Sequence, residues 1–193
     1  KTIGALKNLH RETITLHHQY LPCLGGAVRE AFELATGDHV ILMASDLETD
    51  PKTVKDLIRE AKRGYDVVTC SRWLDSAGFN GYNPFKFVLN KLFQTLFGIA
   101  YRTDLTDLTF AYRIFKTEIV KKIQWEELKH PFLFETIAKP LRLGCSIKEI
   151  PSSWVARREG KSQNTFLRNF DYVRVGLKIL FMPRYKILKT YAN

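Results

Sequence analysis

The stretch His39-Val-Ile-Leu-Met-Ala-Ser-Asp46-Leu-Glu48-Thr-Asp-Pro51 constrains the fold of this chain more than any other. Val40 to Ala44 is a short apolar run with β-branched residues, bounded by Gly37-Asp38. Such a run predicts a strand buried on both faces, of the kind found in parallel sheets. Asp50-Pro51 then marks a helix start, with Asp as N-cap and Pro at the first helical position. Val54, Leu57, Ile58 and Ala61 follow at spacings of three and four, which gives that helix an apolar face. Asp46 and Glu48 therefore fall just past the carboxyl end of the strand, where open α/β sheets bind their ligands. Two carboxylates one residue apart can hold a hard divalent cation through oxygen, and that cation can hold a diphosphate. Carboxylates suit the N-terminus of a helix in any fold, so on the residues alone both roles stand.

Strand and helix signals alternate along the rest of the chain. Residues 2–11 read as helix, 13–17 as a short strand, and 26–36 as a helix capped by Gly37. Gly64 ends the helix opened by Pro51, and residues 66–71 form the next strand. Residues 75–82, rich in Gly, Ser and Asn, read as a loop. Pro84 opens a helix with Phe85, Val88, Leu89, Leu92, Phe93 and Leu96 on one face, closed by Gly98. Residues 104–115 are turn and strand, 116–124 and 131–143 are helical with Gly144 as a stop, and 146–151 are strand-like. A basic loop at 157–163 precedes a last helix, 166–182, ended by Pro183. This rhythm predicts an α/β fold with a mostly parallel sheet flanked by helices. It divides into an α/β domain over 1–163 and an amphipathic helical tail over 164–193.

The 193 residues suffice for one domain with its own core. A net charge of +10 points either to a solvated basic surface or to an anionic partner such as phosphate, nucleic acid or an acidic membrane. No nucleic-acid reader motif is present. The three cysteines lack metal-type spacing and read as reduced thiols. No apolar stretch is long enough to span a bilayer. The chain begins at Lys1 inside a helical pattern, so a native start upstream is expected.

The segment Gly25-Gly-Ala-Val-Arg-Glu-Ala-Phe-Glu-Leu-Ala-Thr-Gly-Asp-His-Val-Ile-Leu-Met-Ala-Ser-Asp46 resembles the centre of family 2 glycosyltransferases. The resemblance is strongest to the dolichyl-phosphate mannose synthase branch and runs from about residue 25 to 162. It implies a GT-A, Rossmann-like fold, a nucleotide-sugar donor and Mg²⁺ or Mn²⁺. It further implies inverting transfer of a hexose to a polyprenyl phosphate by a protein peripheral on the cytoplasmic membrane face. Ala44-Ser45-Asp46-Leu47-Glu48 is similar to the branch's Asp-Ala-Asp metal motif, with Ala44 in place of the first Asp. Asp46 and Glu48 are thereby implied as metal ligands. Ser71-Arg72-Trp73 resembles a Ser-Arg-aromatic motif, and a guanidinium at a strand end can bind phosphate bidentately. Asp107-Leu-Thr-Phe-Ala-Tyr-Arg113 resembles Asp-x-Thr-Ser-Gly-aromatic-Arg. Asp46, Asp107 and Arg113 are the catalytic candidates, with Asp107 orienting a substrate and Arg113 meeting phosphate. Asn90-Lys91 and Glu135 are further implied substrate contacts. Arg157-Arg158-Glu-Gly-Lys161-Ser162 resembles a basic-Gly-Lys-Ser loop suited to phosphate.

Thr136 stands where many family 2 members with hydroxyl acceptors carry a basic Asp. A sugar hydroxyl needs its proton removed as it attacks, whereas a phosphate monoester, with a second pKa of about 6, is already ionised. A missing base therefore agrees with a phosphate acceptor. The first strand and nucleotide loop of the family are not found in this chain, and the fragment alone is expected to bind donor weakly. In the tail, Phe166, Phe170, Val173, Leu177, Leu180 and Phe181 form a stripe, with Arg168, Arg174, Lys178, Arg184, Lys186 and Lys189 around it. That pattern suits an anionic membrane surface or packing on the chain's own core. Two alternatives remain: extension of a cell-surface polysaccharide on a sugar hydroxyl, and a non-catalytic basic module binding membrane or nucleic acid.

Overall fold

In the computed structural model, residues 14–46, 48–74, 83–155 and 168–190 are described. The expected helix 2–11 and loops 75–82 and 157–163 lie outside them. Of the expected strand at 13–17, residues 14–17 carry no regular structure. Helix α1, Cys23–Leu34, buries Val28 and Phe32 and stops at Ala35 rather than running to Gly37. Its start needs glycine. The Gly25 amide donates to Leu128 O at 2.7 Å, and a Cβ there would lie 2.6 Å from Glu127 O.

Strand β1 is His39–Leu42. The Asp50 carboxylate accepts from Lys52 N at 2.9 Å and caps a 3₁₀ turn, Pro51–Thr53. Helix α2, Val54–Ala61, continues from it. Strand β2, Val67–Ser71, is buried throughout. Helix α3, Pro84–Tyr101, runs through Gly98 instead of stopping there. Strand β3 is Arg113–Lys116 and leads directly into helix α4, Thr117–Lys122. Helix α5, Phe132–Leu143, ends at Gly144 as predicted, and that residue caps it in the left-handed conformation with φ 81°. Strand β4 is Ile147–Pro151, and helices α6, Arg168–Leu180, and α7, Arg184–Ile187, complete the chain.

The strands pair in the order β1-β3-β2-β4. β2 and β4 are parallel, whereas β3 runs antiparallel to both β1 and β2. Three strands thus point one way, as predicted, while the strand seated between β1 and β2 is reversed. The reversal follows from the path: residues 102–112 return along the carboxyl edge of the sheet, so β3 enters from that edge. β1 is half-buried rather than buried on both faces, because among the described residues it is an edge strand.

Alternation along the strands divides the core into two layers. Val68, Cys70 and Ile114 pack with Leu57 and Ala61 of α2 on one face. Val67 and Phe115 pack on the other with Phe32 of α1, Phe97 of α3, Phe134 and Ile137 of α5, and Val175 and Ile179 of α6. Helix α6 therefore shares this larger core, and the expected boundary at 163/164 lies outside the described residues. The carboxyl ends of β1, β2 and β4 and the entry to β3 share one edge of the sheet. Pairing of Arg113 with both Leu42 and Thr69, and of Ser71 with Pro151, fixes that alignment.

Candidate active site at the carboxyl edge of the sheet

Asp46 and Glu48 leave β1 in a tight turn. Asp46 Oδ1 accepts from the Glu48 amide at 3.2 Å, which is an Asx-type closure. The chain beyond β4 folds against this turn. Val155 N donates to Glu48 O at 3.0 Å, Trp154 Nε1 donates to Glu48 Oε2 at 3.0 Å, and Thr49 bridges to Trp154. Both carboxylates are half-buried. Among the described residues no three His, Cys, Asp or Glu side chains gather to hold a metal. A Mg²⁺-type ion is commonly held by only one or two carboxylates, with water and substrate phosphates completing its shell.

Arg72 follows β2 directly and turns back onto Asp107. Its Nε donates to Oδ2 at 2.7 Å and its Nη2 to Oδ1 at 2.9 Å, a bidentate pair. The guanidinium also lies over the Phe110 ring, 4.9 Å from its centroid. Asp107 is fully buried and accepts in addition from the amides of Arg72, Thr109 and Phe110. Its turn is held from β4: Glu149 accepts from the amides of Thr106 and Asp107 at 2.9 Å each and from Thr106 Oγ1 at 2.9 Å. Burial pushes the Glu149 carboxyl above its ordinary range, against those donors. Asp107 was expected to orient a substrate; the side chain it orients here is Arg72.

Arg113 sits deeper. It has no solvent exposure and donates to Thr69 Oγ1 at 2.8 Å, Leu108 O at 3.0 Å, and Leu133 O and Thr136 Oγ1 at 2.6 Å each. Burial pulls its pKa down to about 10, opposed by Asp107 and Glu149, so it stays charged at neutral pH. With four guanidinium N–H groups on protein oxygens, Arg113 ties β2, the 107–112 turn and α5 together. Thr136 is consumed in the same contact. Glu135, implied as a substrate contact, is 1% exposed. Its carboxylate takes the amides of Glu126 and Glu127 and pairs with buried Lys139 at 2.6 Å.

Asn90 is half-buried and accepts from Gln94 at 2.7 Å. Lys91 is exposed, with Nζ 4.6 Å from the centroid of the Trp73 ring. Arg157, Arg158, Lys161 and Ser162 lie outside the described residues. Asp46, Glu48, Arg72 and Asp107 thus lie on one edge, with Asn90 joined to Asp107 through Gln94. Sequence reasoning missed Gln94, Glu149 and Trp154. Each acts through a partner 13 to 106 residues away, a separation that leaves no local signal.

Helix α3 also departs from expectation on its apolar face. Phe85, Val88, Leu92, Leu96 and Ile99 are exposed, Ile99 at 71%. Phe93, Gln94, Phe97 and Tyr101 turn inward. At Gly176 a Cβ would lie 2.2 Å from the Phe97 ring, and Tyr101 OH donates to Gly176 O at 2.8 Å, so α3 and α6 touch. Helix α6 has its own exposed stripe of Phe170, Val173 and Leu177, continued by Phe181. No helix among the described residues is long and apolar enough to cross a membrane.

Residues 6–124 match the sequence family described as Glycosyl transferase family 2. Glycosyltransferase AglD of Haloferax volcanii is 27% identical over 140 residues, covering 71% of this chain and 22% of its own length. A dolichol-phosphate mannosyltransferase of Pyrococcus furiosus is 22% identical over 153 residues, covering 78% of this chain and 43% of its own. The chain therefore spans less than half the length of either relative. Among solved structures, glucosyl-3-phosphoglycerate synthase from Mycobacterium tuberculosis is similar in its complex with UDP, at a TM-score of 0.63 and 15% identity. That match covers 90% of this chain and 59% of the other. The same enzyme with Mn²⁺, UDP-glucose and phosphoglyceric acid gives a TM-score of 0.65 at 13% identity. At such identity the likeness speaks for the fold, the GT-A arrangement that the sequence implied.

Proposed function

Because the chain belongs to glycosyl transferase family 2, we propose that it moves a hexose from a nucleotide sugar to a polyprenyl phosphate, with inversion, at an anionic membrane surface. The observation that carries this reading is the gathering of the Asp46–Glu48 turn and the Arg72–Asp107 pair on one edge of the sheet. Asp46 and Glu48 hold Mg²⁺ or Mn²⁺, which neutralises the donor diphosphate as it leaves. Arg72 offers its guanidinium to a phosphate, aimed by Asp107 and steadied on Phe110. Asp107 and Arg113 are positioning residues rather than substrate contacts. The basic loop with Arg157, Arg158, Lys161 and Ser162, together with Lys91, adds cationic charge for phosphate.

Two features support the acceptor class. Thr136 is buried in a bond with Arg113, so its hydroxyl is not placed to take a proton from an attacking hydroxyl. An ionised phosphate needs no such base. The helices that carry the apolar stripes, or the residues that follow them, also carry exposed Lys91, Arg102, Arg184 and Lys186, a combination that suits the plane of an acidic bilayer. The dolichol-phosphate mannosyltransferase relative bears a name of the same acceptor class.

The test is an acceptor screen with the full-length protein, labelled UDP- and GDP-hexoses and Mg²⁺ or Mn²⁺. Vesicles holding a polyprenyl phosphate are compared with oligosaccharides. The proposal expects label in the lipid phosphate alone. Label on sugar hydroxyls would assign the protein to polysaccharide extension, and salt-sensitive vesicle binding with no transfer would leave it a binding module.

A further inference from the structure

We propose that Gln94 is a positioning residue that couples helix α3 to the Arg72–Asp107 pair. The proposal rests on reading Arg72 as the guanidinium that meets phosphate at this edge. Gln94 is 3% exposed. At 100° per residue it lies nearly opposite the exposed stripe of Phe85, Val88, Leu92, Leu96 and Ile99 on the same helix. Both ends of its amide are engaged. Oε1 accepts from the Leu108 amide at 2.8 Å. Nε2 donates to Asn90 Oδ1 at 2.7 Å, Thr109 Oγ1 at 3.0 Å and Asp107 Oδ1 at 3.3 Å. A backbone N–H only donates and the carboxylate only accepts, so the amide has one workable orientation.

One side chain thus grips the helix below and three consecutive residues of the turn that aims Arg72. Among the described residues it is the α3 side chain hydrogen-bonded to Asp107. The other donors to that carboxylate come from Arg72 and from residues 109 and 110. Helix α3 carries the exposed apolar stripe on one side and Gln94 on the other. A shift of α3 by a single residue rise, about 1.5 Å, exceeds what these bonds tolerate. The position of α3 is therefore transmitted to the Arg72 guanidinium.

Two variants separate positioning from packing. Gln94→Met keeps the volume and removes both the donor and the acceptor. Gln94→Glu keeps an acceptor for Leu108 N but turns a second carboxylate towards Asp107, in competition for Arg72. The first measurement needs no turnover: the Arg72 Nε–H signal in ¹⁵N NMR spectra of the chain, assigned through its loss in Arg72→Lys. We expect Q94M to displace that signal and to speed exchange of the Arg72 amide at least tenfold. In the transfer reaction Q94M should lower kcat about tenfold with donor KM within twofold, and Q94E should lower it further. An Arg72 signal at its wild-type position in Q94M overturns the proposal whatever the activity. So does wild-type kcat in Q94M, in a protein that transfers sugar. A displaced signal in a protein with no transfer at all upholds the coupling and removes the glycosyl-transfer reading instead. Should Q94M fail to fold, Gln94→Asn, one methylene shorter, gives the same readout.

Discussion

Replacing Asp107 by alanine is the most informative single perturbation of the edge. The carboxylate is fully buried, and the Arg72 side chain that it pairs with is 9% exposed. Removing it strands a guanidinium out of water, which costs about 3–5 kcal/mol when the partner is deleted. The amides of Thr109 and Phe110 lose an acceptor as well, so the upper part of that range is expected. A domain of this size has roughly 5–15 kcal/mol of stability, and with a urea m-value near 2 kcal/mol/M the midpoint should fall by about 2 M. The assay is urea unfolding of wild type, Asp107→Ala, Arg72→Ala and the double variant at neutral pH. The two single losses should be strongly non-additive, because removing the second member of the pair relieves the stranded charge. Combining Asp107→Leu with Arg72→Met should recover most of the stability, since apolar side chains tolerate this site better than a lone charge. A cost below about 1 kcal/mol for Asp107→Ala, the range of exposed ion pairs, would refute the claim that this pair is desolvated and rigid.

Three further outcomes follow from the geometry. Lys139→Met leaves Glu135 buried beside two amides without its cation, and chemical denaturation should register a loss of about 3–5 kcal/mol. Gly176→Ala brings a Cβ within 2.2 Å of the Phe97 ring, so the α3–α6 contact should loosen at a cost of about 1–3 kcal/mol; an unchanged melting temperature would show that the ring moves aside freely. Burial holds the Glu149 carboxyl above its ordinary value of 4.5, so the folded state binds that proton more tightly than the unfolded one. Its contribution is full below about 4.5 and is lost as pH rises through the raised value. Glu149→Gln should flatten that limb in urea midpoints measured against pH, and an unaltered slope would assign the titration to another group.

The parts of the fold that were legible in the sequence are those set by neighbours in the chain. Asp50-Pro51 announced its helix start, and the Asp50 carboxylate does cap Lys52 N. Gly144 announced a helix stop, which the structure makes with a left-handed backbone. The alternation of elements gave the α/β layering and the edge to which Asp46, Glu48 and Arg72 belong. Strand direction left no such trace. The reversal of β3 depends on where residues 102–112 travel, and hydrophobic periodicity is the same in either direction. The stripe on α3 was visible, but periodicity reports that a face is apolar and not what it touches. The half-burial of β1 has the same origin, since an apolar run does not announce its position in a sheet. In the site, the family resemblance implied Arg113 and Glu135 as substrate contacts, but it gave no sign that both are enclosed with protein partners. Gln94 and Glu149 look ordinary in sequence and become important only through bonds across 13 and 42 residues.

The central claim is that Asp46 and Glu48 form a cation site serving a nucleotide-sugar diphosphate at the carboxyl edge of the sheet. Calorimetric titration of the full-length protein with UDP- and GDP-sugars, with and without Mn²⁺, tests it most directly when repeated on Asp46→Ala. Donor binding should depend on the metal and weaken at least tenfold in Asp46→Ala, while the urea midpoint stays within the error of wild type. Donor binding and transfer that survive in Asp46→Ala at wild-type strength would contradict it.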